Sequence, residues 1–304
     1  MKPINLKTKI FLDSGNPYET KEIISLLGFL DGQTTNPTLI SKNPKAKERI
    51  AKGRKFSKDE ILDFYKDTVE EISELIPNGS ISVEVYADKN TTSEQMLEQG
   101  QEMFSWIPNA HIKYPTTTQG LKAAEQSVKE RIRVNMTLVF SQEQAAAVYT
   151  ATKNIGIETL PGFRNVFVSP FIGRLDDKGK NGMDLIKNII EMYKKGDGHV
   201  AVLTASVRNI NHLLYAINLG SDIITAPFKV LKEWAEQGLS MPSTFYYNTG
   251  NLTPISYQEI DLDKDWHTYN IAHELTDIGM DKFSNDWNAL LFLGADRNPP
   301  PRWT

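Results

Sequence analysis

Residues 111–139, HIKYPTTTQGLKAAEQSVKERIRVNMTLV, hold a strand, a helix and a second strand in that order. The two ends, HIKYP and RVNMTLV, are short and rich in apolar or β-branched residues. The middle, 119–131, has helical periodicity and composition. Strand, helix and strand with no hairpin turn between them make a parallel βαβ unit. The first strand carries an anomaly, because Lys113 stands in the middle of a run that reads as buried. A buried ammonium group is costly, so such a lysine shifts its pKa or pairs with an acid. A lysine that sheds its proton near neutral pH attacks carbonyls and forms Schiff bases. The plainer alternative is a side chain that snorkels to water from a strand end. The rest of the chain decides between them.

Outward from this unit the pattern repeats. Further strand-like runs lie at 9–13 (KIFLD), 32–36 (GQTTN), 81–86 (ISVEVY), 166–170 (VFVSP), 200–207 (VAVLTASV) and 222–227 (DIITAP). Helical segments are expected at 21–30, 58–75, 93–106, 142–152, 182–195, 210–219 and 230–237. Eight such units close into a (β/α)8 TIM barrel, an α/β fold that typically needs about 250 residues. The whole chain, 1–304, is thus expected to form a single barrel domain. Two segments exceed the barrel minimum. Residues 42–59 form a basic connection after the second strand and read as a surface helix. Residues 240–304 read as a C-terminal helical tail that caps the barrel. That tail holds a loop with Pro242, Gly250 and Pro254, a helix near 271–292, and Asn298-Pro299-Pro300-Pro301.

Composition narrows the function. Hydrophobic residues make up 40% and charged residues 24% of the 304, which is ordinary for a globular protein and unlike a disordered or membrane chain. The net charge of −4 gives no global attraction for nucleic acid or anionic membrane. Cysteine is absent, which excludes disulfides, thiol catalysis and zinc–cysteine sites. No window has the apolar length of a membrane helix, and the start of the chain lacks a signal-peptide core, so a cytoplasmic protein is expected. The five histidines show no metal-ligand spacing, and His111, one layer below Lys113, reads as packing.

Barrel enzymes place their chemistry at the C-terminal ends of the strands. Here those ends are polar: Asp13, Thr34-Thr35-Asn36, Glu84, Lys113, Asn135 with Thr137, Ser169 followed by Arg174, and Ser206 followed by Arg208. Period-two alternation puts Asn135 and Thr137 on one strand face, and Ser206 and Arg208 on another. If these faces point inward, a chemistry follows. Neutral Lys113 attacks a ketone, and the iminium then acts as an electron sink for cleavage of a neighbouring C–C bond. Asp13 and Glu84 are the carboxylates available to move protons, and Thr137 suits a shuttling water. Arg174 and Arg208, with Ser206, suit a phosphate. Asn36, Asn135 and Ser169 suit sugar hydroxyls. Each has a structural alternative: Asn36 precedes Pro37 and suits a helix cap, Ser169 and Ser206 suit backbone groups, and Asp176 and Asp177 suit local pairing.

The segments also resemble transaldolases, in order, from about residue 9 to 230. The elements are Leu12-Asp13-Ser14, GQTTNPTLI at 32–40, Ile112-Lys113, NMTLVFS at 135–141, SPFIGRLDD at 169–177 and ASVRN at 205–209. The end of the chain, ELTD at 274–277 through Asp286-Trp287, is similar too, with less specificity. The resemblance implies that Lys113 is the Schiff-base lysine, Asp13 the acid–base residue for carbon–carbon cleavage, and Glu84 with Thr137 the pair that positions a catalytic water. It implies that Asn36, Asn135 and Ser169 surround a dihydroxyacetone unit, and that Arg174, Ser206 and Arg208 hold phosphate. The implied reaction moves that unit from fructose 6-phosphate or sedoheptulose 7-phosphate to an aldose phosphate in the pentose phosphate pathway, with no metal or organic cofactor.

The chain departs from the larger transaldolases in lacking their N-terminal extension. Tyr114-Pro115 is similar to the small subfamily that includes the fructose 6-phosphate aldolases, which cleave without an acceptor. Those enzymes tend to carry Tyr where this chain has Phe171, so Phe171 favours transfer. Oligomeric state differs between the subfamilies, and a homo-oligomer is compatible with both. The competing expectations are an aldolase-type lyase on the same scaffold, a silent barrel that only binds sugar phosphate, and a metal hydrolase.

Overall fold

The computed structural model describes residues 2–153, 159–241 and 245–292. Pro242 and the Asn298–301 proline run lie outside them. The eight strands are β1 (Lys9–Asp13), β2 (Gly32–Thr34), β3 (Ser80–Glu84), β4 (Ala110–Pro115), β5 (Val134–Val139), β6 (Val166–Pro170), β7 (Val200–Thr204) and β8 (Ile223–Ala226). All pair in parallel, each with its sequence neighbour, and β8 returns to β1 to close the barrel. A (β/α)8 barrel is what the alternating pattern requires.

The outer layer holds α1 (Pro17–Leu27), α4 (Lys58–Leu75), α5 (Ser93–Trp106), α6 (Thr118–Lys129), α7 (Gln142–Ala151), α9 (Gly182–Tyr193), α10 (Ile210–Leu219) and α11 (Phe228–Glu236). Their starts are written in the sequence. Ser57 and Glu60 form a capping box before α4, and Thr92 and Gln95 form one before α5, satisfying donors that the first helical turn leaves open. With helices outside and side chains filling the inside, β3 through β8 are buried along their whole length.

Register stacks the interior in layers. His111 faces Ser82, and one layer higher Glu84, Lys113 and Asn135 stand side by side on β3, β4 and β5. The lower layer is aromatic: His111 stacks on Phe167 at 4.0 Å, and Phe11 meets Phe163 and Phe167. Burial pushes His111 down to about 3, so it is neutral packing. An apolar floor thus lies under a polar upper layer.

Several local expectations are corrected. β7 stops at Thr204, short of residue 207, and Ser206 has a left-handed φ of 60°. Strand alternation therefore does not relate Ser206 to Arg208; a loop carries both. That loop is tied to the short helix α8 (Ile172–Asp176), with the Gly173 N–H donating to the Ser206 carbonyl. A Cβ on Gly173 would meet that carbonyl at 2.4 Å, so only glycine allows the approach. β5 is irregular too, with a register shift between Met136 and Val139 and Leu138 at φ 60°. In the basic connection the helical parts are α3 (Pro44–Ala51), after the short α2 (Pro37–Ser41), and the first two residues of α4. Its far end seats the tail, since Phe56 pairs with Leu291 and its ring lies under Arg49.

The tail is a strap followed by a helix. Tyr247 stacks on Tyr215 of α10. Ile255 exchanges hydrogen bonds with Asp184 and Asn188 of α9, and Gln258 does so with Gln142 of α7. Trp266 donates to Glu125 of α6. The chain then turns into α12 (Glu274–Asn288), which lies across the mouth of the barrel against α2 and β5.

Candidate active site

The strand ends and α12 enclose a cavity of about 570 Å³. Asp13, Asn36, Lys113, Thr137, Ser169, Phe171, Arg174, Ser206 and Arg208 all line it. Lys113 is buried, with Nζ 2.7 Å from Glu84 Oε2 and donating to the Thr35 carbonyl at 3.0 Å. It does not snorkel. The register that sets Glu84 beside Lys113 is the cause of the pair. Burial raises the Glu84 pKa above the usual carboxylate range, and the Lys113 charge partly offsets this.

Asp13, at the end of β1, accepts a hydrogen bond from Thr34 at 2.8 Å. Thr34 in turn contacts the Thr225 hydroxyl at 2.6 Å. The Thr34 proton goes to the carboxylate, so Thr225 is the donor in the second bond. Burial raises the Asp13 pKa, while Lys113, the Thr34 hydrogen bond and Lys42 oppose the shift. Thr137 Oγ1 is buried with no hydrogen-bond partner among the described residues. A buried hydroxyl in that state, on a cavity wall, is placed for a ligand or a water.

The expected sugar-binding residues divide. Asn36 caps α2, its Oδ1 accepting from the Leu39 N–H, which is the structural role read for it, and it also lines the cavity. Asn135 sits behind the wall. Its amine donates to Ser82, and its Oδ1 accepts from Ser169 at 2.6 Å, which commits the Ser169 proton. Asn135 thus orients Ser169 and does not itself line the cavity.

The two arginines differ. The Arg174 guanidinium lies 5.3 Å from the ring centres of both Phe171 and Phe283, and its Nη1 is buried without a hydrogen-bond partner among the described residues. Burial lowers its pKa, and Glu84 opposes that. Arg208 is half exposed and paired with Asp177 at 2.7 Å. Asp176 holds the Gly182 N–H and His212, the local role read for it. Thr34, at the polar end of β2, also lines the cavity, and so do Thr225, Lys42 and the α12 residues Ile278, Lys282 and Phe283, for which the sequence gives no expectation. Thr225 carried the same signal as the others, a hydroxyl at a strand end. The α12 residues carried none, since only long-range docking puts them there.

A family model described as Transaldolase/Fructose-6-phosphate aldolase matches residues 10–294. The chain belongs to this family. Relatives named probable transaldolase include one from Dehalococcoides mccartyi, 37% identical over 76% of this chain and 92% of that protein. Another, from Roseiflexus sp., is 34% identical over 92% of this chain and 97% of its own length. A third, from Thermoplasma volcanium, is 39% identical over 74% and 86%. The matched span takes in the strand-end residues of this family member and α12.

Proposed function

We propose that the chain is a transaldolase that carries a dihydroxyacetone unit from a ketose phosphate, fructose 6-phosphate or sedoheptulose 7-phosphate, to an aldose phosphate through a Schiff base on Lys113. The observation that carries this is the buried ion pair that Glu84 makes with Lys113, a lysine on the wall of a cavity that Arg174 also lines. Moving one proton from Nζ to Glu84 converts a buried ion pair into a neutral amine and a neutral acid, the direction burial favours. The amine then adds to the ketone, and loss of water gives the iminium. Thr137 suits the water that shuttles those protons. Asp13 accepts the proton of the C4 hydroxyl as the C3–C4 bond breaks and its electrons flow to the iminium nitrogen. The aldose phosphate leaves, and the enamine adds to an incoming aldehyde as Asp13 returns the proton. Arg174 and Arg208, with Ser206, hold phosphate. Asn36 and Ser169 meet the hydroxyls of the three-carbon unit, and Asn135 acts through Ser169.

This scheme needs no metal or organic cofactor and no nucleic acid or membrane surface. It fits a place in the pentose phosphate pathway and a cytoplasmic setting, as a monomer or a homo-oligomer. Residues 1–304 are read as one barrel domain with 240–304 as its cap; support comes from the contacts of the strap and α12. Borohydride reduction in the presence of fructose 6-phosphate is expected to leave a three-carbon adduct on Lys113, mapped by mass spectrometry. Label elsewhere, or none, sinks the assignment. The aldolase alternative is tested on Phe171. A phenyl ring cannot help place a water to hydrolyse the intermediate, whereas a phenol can. Aldose phosphate release should therefore depend on added erythrose 4-phosphate, and Phe171→Tyr should raise acceptor-free cleavage.

A further inference from the structure

Tyr65 is a fully buried residue of α4, outside the barrel wall, and the reaction scheme above does not use it. Its neighbours on the helix face, Ile61, Val69 and Ile72, are apolar packing. Its ring meets Trp106 of α5 and Trp287 of α12 edge-on, each at 5.9 Å. Its hydroxyl does something else. It lies 2.6 Å from Thr35 Oγ1 and 2.9 Å from the Glu84 backbone nitrogen. Thr35 Oγ1 lies 2.7 Å from the Ser82 carbonyl.

The direction of these bonds is fixed by counting protons. The Ser82 carbonyl can only accept, so it takes the single Thr35 proton. The Glu84 N–H can only donate, so the Tyr65 oxygen accepts from it. The Tyr65 proton must therefore go to Thr35 Oγ1. Burial keeps the phenol pKa above its ordinary value, which holds that proton in place. The result is a chain from the Glu84 N–H through Tyr65 and Thr35 to the Ser82 carbonyl. It begins and ends on β3 and clamps the exit of β2 between. Every group in it is buried and satisfied, and such chains polarise and rigidify one another.

Two members of the clamp bear on Lys113. The Thr35 peptide supplies the carbonyl that accepts from Nζ, and the Glu84 residue supplies the carboxylate paired with it. We propose that Tyr65 is a positioning residue for Lys113: its hydroxyl locks the Thr35 and Glu84 peptides so that carbonyl and carboxylate bracket the amine. This rests on the reading of Lys113 as the Schiff-base lysine. The competing account is that Tyr65 only fills space between two tryptophans.

Tyr65→Phe separates them, since it keeps the ring and removes the hydroxyl. Tyr65→Phe should lower kcat about 10- to 100-fold, the cost of a small misplacement of a reacting group, with the donor KM within about twofold. The acid limb of the kcat/KM profile should move, because the Lys113–Glu84 pair that exchanges the proton is no longer held at one distance. Thr35→Val breaks the same chain, so it should reproduce the effect, and the double variant should be no worse than either single one. Trp106→Phe, a packing change that spares the chain, should lower Tm and leave the pH profile in place. An unchanged kcat and profile in Tyr65→Phe overturns the proposal. So does full additivity with Thr35→Val, or a Trp106→Phe variant that shifts the profile equally. If Tyr65→Phe does not fold, Thr35→Val against Trp106→Phe makes the same comparison. Borohydride trapping on the unmodified chain separates the two levels: no adduct on Lys113 overturns the Schiff-base reading and the proposal together. An adduct with unaffected variants overturns the Tyr65 proposal alone.

Discussion

Asp13 bears a charge in a place that disfavours it. Its pKa is raised, so over the interval between the ordinary and the raised value the folded chain binds more protons than the unfolded one. Stability from this group is present below the ordinary value and is lost as pH rises through the raised one. Asp13→Asn should therefore raise Tm at pH 7 and do so less at pH 4, while abolishing turnover; an equal gain at both pH values would show that the carboxylate carries no such penalty. The two arginines proposed to hold phosphate should not be equal either. Arg174 is mostly buried, with an Nη1 that has no hydrogen-bond partner among the described residues, whereas the Arg208 side chain is 51% exposed and already paired with Asp177. Arg174→Ala should cost about 3 kcal/mol in kcat/KM for phosphorylated donors, as expected of a charge-assisted contact. Arg208→Ala should cost about 1 kcal/mol, because solvent screens it. Steady-state kinetics with fructose 6-phosphate and unphosphorylated fructose check both; equal losses on the two sugars would make the arginines structural.

Helix α12 shows how element contacts reverse a propensity argument. Gly279 lies inside it, and in an ordinary helix Gly→Ala gains about 1 kcal/mol. Here a Cβ would stand 2.5 Å from Arg174 Nη1 and 2.5 Å from a Leu138 methyl. Both are ends of flexible side chains, so the fold can yield, and what yields is the guanidinium. Gly279→Ala should leave Tm within a few degrees and raise KM for phosphorylated donors about tenfold or more, the scale of losing one charge-assisted contact. A variant with normal KM would show that Arg174 is not held by α12. None of this was legible in the sequence. The eight strands and the longer helices were, because apolar periodicity and caps such as Ser57 and Thr92 are local signals. So were the side chains at the strand ends, since barrel geometry forces them together. The short α2 and α8 span too few residues for a period to show. The left-handed turns at Leu138 and Ser206 fall on ordinary residues, held there by packing and by hydrogen bonds to distant segments. In sequence nothing marks Tyr65 among the other apolar-face residues of α4, and only its partners distinguish it.

At the scale of the whole molecule, the site is finished by the two ends of the sequence meeting. Thr38 bonds to Asp286, Phe56 pairs with Leu291, and Thr276 holds both Gln144 and the Leu138 carbonyl. A chain ended after residue 240 should keep the circular dichroism of a barrel, because the eight strands already close without the tail. Its turnover should fall by about 100-fold, since Phe283 and the rest of α12 no longer hold the phosphate arm in place. Loss of the barrel signal itself would show that the tail is part of the core. No helix among the described residues is long and apolar enough to cross a membrane. The strap also sets an order of events in time. The last barrel helix ends at Glu236 and α12 ends at Asn288. At a ribosomal pace of about 5–20 residues per second, the segment between them takes about 3–10 s to make. For those seconds every barrel strand has been made, while the mouth above Lys113 has no roof. If the barrel closes within that interval, the Lys113 side chain stands open to solution until the arrival of α12 ends the exposure.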